Sequence, residues 1–161
     1  NQKEDKVDAV GICAYHVGYK KLVIIKQFRV PINDYIYEVP AGLVDKGDKD
    51  VFESVKRELK EETGLKLLSY KLRGLITFVN NDYTIEKTYI SPGMTDESIA
   101  LVFCTCDGEL NKDGLEDDED IEAILVSVEE ARKILKSKEK MDVKAFLMLQ
   151  NFVLLGEKMF V

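Results

Sequence analysis

The sequence predicts a mixed α/β (α+β) fold, in which a mixed β-sheet packs against about three helices in one domain spanning residues 1–161. Three observations carry this prediction. Runs rich in β-branched and apolar residues alternate with turn-like breaks, as the strands of a sheet do. One strongly capped helix interrupts these runs, and two segments with helical spacing close the chain. At 161 residues and 45% hydrophobic content, the chain can bury one sizeable core.

The N-terminal part of the chain predicts a hairpin followed by a third strand. Residues 7–17 and 21–30 are strand-like runs separated by a short break that contains a glycine, which favours antiparallel pairing. Residues 35–40 alternate aromatic or apolar side chains with polar ones, and the proline at their end should terminate the strand. Residues 41–50 contain two glycines and several charges, so they predict a loop.

The first helix has both of its ends marked in the sequence. Asp50 and Glu53 have the spacing of a capping box, in which the first residue caps the helix and the second reaches back. Gly64 is suited to the left-handed conformation that commonly ends a helix. We therefore expect a helix over residues 51–63.

The second half of the chain predicts a series of strands and then two helices. An acidic loop over residues 116–120 and turns over residues 80–83 and 91–97 separate the elements. The last helix is apolar enough that we expect it to be largely buried. The predicted strands cover residues 65–79, 87–91, 99–106 and 121–128, and the predicted helices cover residues 128–137 and 142–155.

Composition restricts the classes of function. The formal net charge of −7 argues against a surface that binds nucleic acid or a membrane. We expect no transmembrane helix, because the sequence contains no run of about 18 apolar residues. The three cysteines lack a CxxC spacing, which favours reduced thiols in a cytoplasmic core over a zinc site. A single histidine, His16, leaves little basis for a His-dependent triad. The first residues resemble no signal peptide and lack a leading Met, so we expect the natural N-terminus to lie upstream.

Three glutamates face one another on the predicted helix. Glu58 is three residues from Glu61 and four from Glu62, and like charges at these spacings cost roughly 0.2–0.5 kcal/mol per pair. On a wheel of about 100° per residue, Glu58 and Glu62 border the apolar stripe, away from the lysines. An ion-pair ladder, in which Arg57 pairs with Glu61, is one interpretation. A hard cation such as Mg²⁺, which prefers oxygen ligands, is the other, and the inward position favours it.

These residues lie in a recognisable motif. The run Arg57-Glu58-Leu59-x-Glu61-Glu62-x-Gly64-Leu65 resembles the REUxEExGU core of the Nudix box, where U is aliphatic. The run EVPAGLVDKGD over residues 38–48 resembles the ADP-ribose pyrophosphatase branch of that family, as do residues 25–31, 91–97 and 116–122. The resemblance covers roughly residues 7–150, and it implies the Nudix fold, with a mixed sheet sandwiched between helices.

The chain departs from the family pattern upstream of the helix. The segment from Gly42 to Arg57 is one residue longer than the family spacing, and Asp48 stands where a Glu is usual. Because Asp50 still caps the helix seven residues before Arg57, the extra residue falls in the loop over residues 47–50. The connection before the SPG turn is also longer than expected, and the N-terminal strands that serve dimer formation and adenine binding in the family are absent or unseen here.

The resemblance implies metal ligands and a base. Glu58, Glu61, Glu62 and the Ala41 carbonyl would hold Mg²⁺, with Mn²⁺ as the alternative, and Arg57 would orient the glutamates. Arg57, Glu61 and Glu62 would therefore be catalytic residues. A carboxylate from the acidic loop would act as general base, and the sequence leaves three candidates open. They are Glu116, Asp117 and Glu119.

The resemblance also implies a substrate pocket and a reaction. Arg29 and Glu38 would contact phosphate, ribose or base, and Met94, Asp96 and Glu97 would line the pocket for the terminal ribose. The implied function is Mg²⁺-dependent hydrolysis of ADP-ribose, or another ADP-sugar, to AMP and a sugar phosphate, by a possible homodimer. Two alternatives remain open: a catalytically silent Nudix domain that binds a nucleotide metabolite as a sensor or scaffold, and a hydrolase for other dinucleotides or nucleoside triphosphates.

Overall fold

A computed structural model describes residues 6–69 and 87–160. Among these residues the chain forms eight strands and three α-helices. The helices are α1 (Val51–Thr63), α2 (Val128–Lys136) and α3 (Val143–Leu155). The strands are β1 (Ala9–His16), β2 (Lys21–Arg29), β3 (Asp34–Glu38), β4 (Ala41–Leu43), β5 (Lys66–Ser69), β6 (Thr88–Tyr89), β7 (Ser98–Asp107) and β8 (Ile121–Val126). Short 3₁₀ helices follow β2 (Val30–Ile32) and α3 (Gly156–Met159).

The strands form one mixed sheet that divides at the β1–β2 hairpin. β1 runs parallel to β7 along its whole length, and antiparallel to β4 at its start and to β2 at its end. β2 pairs antiparallel with β3 and with β8. The chain therefore crosses from the β2 region of the sheet to the β1 region within the two residues, Val39 and Pro40, that join β3 to β4. The backbone at this crossing lies next to α1.

Helices pack on both faces of the sheet, and the side chains of β1 alternate between these two faces. Cys13 and Tyr15 contact the C-terminal part of the chain, where Cys13 Sγ donates to Met148 Sδ at 2.9 Å and the Tyr15 ring stacks on Phe160. Side chains at even positions point to the opposite face and are also fully buried, and α1 contacts β1 there. The sheet thus lies between helices, as predicted. None of the described helices is long and apolar enough to cross a membrane.

The ends of α1 have the predicted caps. The Asp50 carboxylate accepts a hydrogen bond from the Glu53 N–H at 2.9 Å, and the Glu53 carboxylate accepts one from the Lys49 N–H at 2.7 Å. Gly64 has a φ of 81°, and its N–H donates to the Lys60 carbonyl. The additional residue in the preceding loop has therefore not shifted the start or the register of the helix.

Two sequence predictions were wrong in part. Residues 41–43 form a strand, because the edge of β1 at Ala9–Gly11 offers them a pairing partner that local composition does not reveal. The last helix is not largely buried: only one side of α3 packs on the domain, which leaves Val143, Phe146, Leu147 and Leu154 exposed. The predicted strand over residues 65–79 is described only as β5, and its remainder and the turn at 80–83 lie outside the described residues.

Candidate active site

The glutamates of α1 differ strongly in exposure, in the order that the helical wheel predicts. Glu62 is 7% exposed, the Glu58 side chain is 16% exposed, and the Glu61 side chain is 46% exposed. Val55 and Leu59 fill the core beside the first two. Two carboxylates therefore enter the buried side of the helix, and the third lies at its rim.

Glu58 and Glu62 lie beside β4, and among the described residues they do not each have a basic side chain that would neutralise their charge. Glu62 Oε2 accepts a hydrogen bond from the Ala41 N–H at 3.1 Å. Burial nevertheless raises the pKa of Glu62 to about 8, and the charge of Glu58 adds to this effect. Burial and the charge of Glu61 likewise raise the pKa of Glu58 to about 7, although Arg57 opposes the shift. A bound cation would favour the ionised form of both groups.

Gly42 lets β4 approach the helix at the Glu58 carboxyl group. A Cβ atom added at Gly42 would lie 2.0 Å from Glu58 Cδ and 2.2 Å from its nearer oxygen. No side chain can occupy that position while Glu58 keeps its place. The glycine is therefore needed because of close approach, and it brings the backbone on either side of Gly42 up to the carboxylates.

Arg57 is oriented chiefly by Asp48. Its Nη1 donates to both Asp48 oxygens at 2.6 and 2.7 Å, and its Nη2 donates to the Leu43 carbonyl at 3.1 Å. The Ser54 hydroxyl donates to the same carboxylate at 2.5 Å. These contacts, with Arg57 the largest cause, lower the pKa of Asp48 to about 2. Arg57 and Glu61 are 4.0 Å apart, so an ion-pair ladder is not the main interaction of this arginine.

The segment that precedes the acidic loop is attached to the C-terminal end of α1. The Asn111 N–H donates to the Thr63 carbonyl at 3.0 Å, and a Cβ at Gly114 would lie 2.7 Å from Glu61 Cα. A turn follows in which the Glu119 N–H donates to the Glu116 carbonyl, and the Glu119 carboxylate accepts from the Glu116 N–H.

The three base candidates differ in their electrostatic effect on the helix. The charge of Glu119 raises the pKa of both Glu58 and Glu62, whereas Glu116 and Asp117 are not among the main causes of either shift. Glu119 is therefore the candidate that interacts with both buried carboxylates.

A cavity of about 320 Å³ opens beside Glu62, between the two parts of the sheet. Arg29 lines it and makes a bidentate ion pair with Glu38, from Nε at 2.7 Å and Nη2 at 2.9 Å. Glu97 also lines it, as does Lys144, which the sequence analysis missed. The one signal for Lys144 is that it is the only charged residue within the thirteen residues of α3.

Two of the predicted substrate residues stand apart from this cavity. Met94 is 90% exposed, and neither Met94 nor Asp96 is part of the cavity wall. The turn that carries them is closed by hydrogen bonds from the Met94 and Thr95 N–H groups to the Ser91 carbonyl. From this turn, Glu97 alone lies at the cavity, because it directly precedes β7, which forms part of the wall.

The donor set of the site suits a hard divalent cation. Glu58 and Glu62 provide oxygen donors at a partly buried position, where burial raises their pKa values by disfavouring the ionised forms that a cation would stabilise. In residues 6–69 and 87–160, no three acidic, histidine or cysteine side chains are arranged around one common point. A cation here would therefore combine one or two carboxylates with water or substrate oxygens, as Mg²⁺ does.

Comparison with known proteins identifies the family. The model of the NUDIX domain matches residues 5–149. Over 131 residues the chain is 34% identical to the ADP-ribose pyrophosphatase of Bacillus subtilis, a match that covers 81% of this chain and 64% of that protein. It is 35% identical over 132 residues to the ADP-ribose pyrophosphatase of Saccharomyces cerevisiae, covering 76% and 51%. The chain thus spans between half and two thirds of the length of these relatives.

More distant matches agree on the fold. The chain is 27% identical over 160 residues to the GDP-mannose pyrophosphatase of an Enterobacter strain, which covers 94% of this chain and 76% of that one. A solved MutT structure, from work on Aliivibrio salmonicida and Vibrio cholerae, superimposes with a TM-score of 0.58 at 13% identity, covering 92% of this chain and 97% of that chain. The carboxylates of α1 and the shared fold agree with the match to the NUDIX domain model. The chain belongs to the Nudix family.

Proposed function

We propose that this domain hydrolyses a nucleoside diphosphate linked to a second group, with ADP-ribose as the leading substrate and AMP and a sugar phosphate as products. The observation that carries the proposal is the pair of carboxylates on α1, the buried Glu62 at the wall of the cavity and the half-buried Glu58 one turn before it. Proteins rarely bury carboxylates without a partner, because the desolvation of a charge is costly. The relatives named as ADP-ribose pyrophosphatases support the choice of substrate.

In this proposal Glu58 and Glu62 would hold Mg²⁺ or Mn²⁺ together with the Ala41 carbonyl, and Glu61, at the rim of the site, would contact the cation through water. The metal would neutralise pyrophosphate charge and lower the pKa of a bound water. Arg57, fixed by Asp48, holds the Glu58 side of the site in place. The Asp48 contact supports an active domain over a catalytically silent one, because the shorter acid still reaches the arginine.

Glu119 is the base that we propose. It would accept a proton from water as the water oxygen bonds to phosphorus and the bridging P–O bond of the pyrophosphate breaks. The departing phosphate oxygen takes the electron pair of that bond. Arg29 would offset part of the substrate charge beside Glu38. Glu119 is preferred to Glu116 and Asp117 because its charge is among the main causes of the raised pKa values of both Glu58 and Glu62, and theirs are not.

The test is a substrate panel with the purified protein and Mg²⁺ or Mn²⁺. We expect AMP release from ADP-ribose to exceed product release from GDP-mannose, dinucleotides and nucleoside triphosphates. Cleavage of another member in preference to ADP-ribose would move the assignment to that substrate. Metabolite binding without any turnover would instead support the sensor or scaffold alternative.

Two variants sharpen the test. Glu62→Gln should abolish most turnover, and Glu122→Gln, which removes an exposed carboxylate from β8, should not. A fully active Glu62→Gln variant would refute the assignment of Glu62 as a ligand. A homodimer and a cytoplasmic location remain predictions, and the mass of the protein in solution would test the former.

A further inference from the structure

Lys144 reaches the cavity because the segment before α3 extends the sheet. The Tyr37 N–H donates to the Lys140 carbonyl at 3.0 Å, and the Asp142 N–H donates to the Tyr37 carbonyl at 2.8 Å. These bonds form a parallel bridge between Tyr37 and Met141. The start of α3 is thereby fixed next to Glu38, at the wall of the cavity.

Asp142 then holds the lysine in place. One of its oxygens caps α3 by accepting from the N–H groups of Lys144 and Ala145, and the other accepts from Lys144 Nζ at 2.8 Å. The lysine stem runs along β1, since a Cβ at Gly11 would lie 3.8 Å from Lys144 Cδ. The Lys144 side chain is only 13% exposed, so its conformation is largely set by packing.

The ammonium group of Lys144 has unused capacity. It carries three N–H donors, and Asp142 is its one ion-pair partner among the described residues. Arg29, the other cation of the cavity wall, already engages Glu38 through two nitrogens. A buried ion pair is weak evidence for a purely stabilising role, because desolvation can exceed the Coulombic gain. An acceptor-rich anionic ligand in the cavity would use the remaining donors.

We propose that Lys144 is a substrate-binding residue that donates to a phosphate oxygen of the ligand, with Asp142 as the residue that positions it. The inference rests on the proposed function, since it assigns a ligand contact within the same site. A phosphate is favoured over a neutral group because the cavity wall already carries the carboxylates of Glu38, Glu62 and Glu97. An anionic ligand there requires cations beyond the metal.

The test compares Lys144→Met and Lys144→Arg with Lys136→Met, which removes an exposed lysine from α2. Calorimetry measures the binding of AMP, inorganic pyrophosphate and adenosine in the presence of Ca²⁺, and circular dichroism checks folding. We expect Lys144→Met to weaken the binding of AMP and pyrophosphate about 10–100-fold, as for loss of a charge-assisted hydrogen bond. Adenosine binding should not change, and Lys144→Arg should retain most of the phosphate affinity.

The possible failures are distinguishable. If the wild type hydrolyses ADP-ribose and folded Lys144→Met has the same KM and the same phosphate affinity, the inference is wrong and the proposed function stands. If the wild type hydrolyses nothing in the panel while Lys144→Met still weakens AMP binding, the inference stands alone. If Lys144→Met fails to fold, the test rests on Lys144→Arg, which keeps the positive charge. A folded Lys144→Arg variant that no longer binds phosphate ligands would overturn the role of the cation. A wild type that binds no phosphate ligand overturns both.

Discussion

Replacement of Glu62 by glutamine should make the metal-free protein more stable at pH 8 relative to the wild type. A glutamine side-chain oxygen can still accept the hydrogen bond from the Ala41 N–H that Glu62 Oε2 accepts at 3.1 Å. The substitution therefore removes mainly the ionisable group. In the folded metal-free protein, burial raises the pKa of this group from 4.5 to about 8.

The sign of the effect follows from proton binding. Between pH 4.5 and 8 the unfolded chain loses the Glu62 proton while the folded protein keeps it. The folded state then binds more protons, so the unfolding free energy falls as pH rises through this range and levels off above pH 8. At about 1.36 kcal/mol per pH unit, the loss for the wild type is on the order of 3–5 kcal/mol. The Glu62→Gln variant should lack this loss.

The assay is urea unfolding followed by circular dichroism, at pH values from 5 to 8 in the presence of a chelator. The difference in unfolding free energy between Glu62→Gln and wild type should grow with pH, and it should be small at pH 5. Glu122→Gln, which neutralises an exposed carboxylate, should follow the wild type. Addition of Mg²⁺ at pH 8 should stabilise the wild type and not Glu62→Gln. Parallel pH profiles for Glu62→Gln and wild type would refute the reasoning.

Three further substitutions test other parts of the site. Gly42→Ala should reduce turnover by about 100-fold or more, because its Cβ would occupy the position of the Glu58 carboxyl group. Displacement of a catalytic group commonly has an effect of this size. An unimpaired variant would show that Glu58 need not stay in that position. Glu119→Gln should lower kcat far more than Glu116→Gln in a pH–rate comparison, and equal losses would contradict the choice of base. Asp50→Ala should lower the unfolding free energy by about 1 kcal/mol, by loss of the helix cap, with kcat unchanged in calorimetric and kinetic measurements.

The carboxylate pair could be predicted from the sequence because its placement is local. A period of 3.6 residues fixes the positions of Glu58 and Glu62 relative to Val55 and Leu59, whatever the rest of the chain does. β4 could not be predicted in this way. Ala41–Leu43 becomes a strand only because β1 offers an unpaired edge, and the sequence of the segment does not reveal that edge.

Lys144 was missed for a related reason. Its position at the cavity depends on the pairing of residues 140–142 with Tyr37, about one hundred residues earlier in the chain. The contact between Asp48 and Arg57 also could not be predicted from sequence spacing alone, since a shorter acid in a longer loop could equally have pointed away from the arginine. Contacts within one helix were thus predictable, and contacts between elements required the structure.

The burial of two carboxylates links the stability of the domain to its proposed activity. The same desolvation that raises the pKa of Glu62 also lowers the competition of water for a cation, so affinity and metal-free instability have one cause. A ligand at 100 times its Kd adds about 2.7 kcal/mol to the unfolding free energy. At that ligand concentration the gain is smaller than the loss expected between pH 4.5 and 8. The apolar core around Val55 and Leu59, which are fully enclosed on the same helix, contributes stability that does not depend on pH or on a ligand.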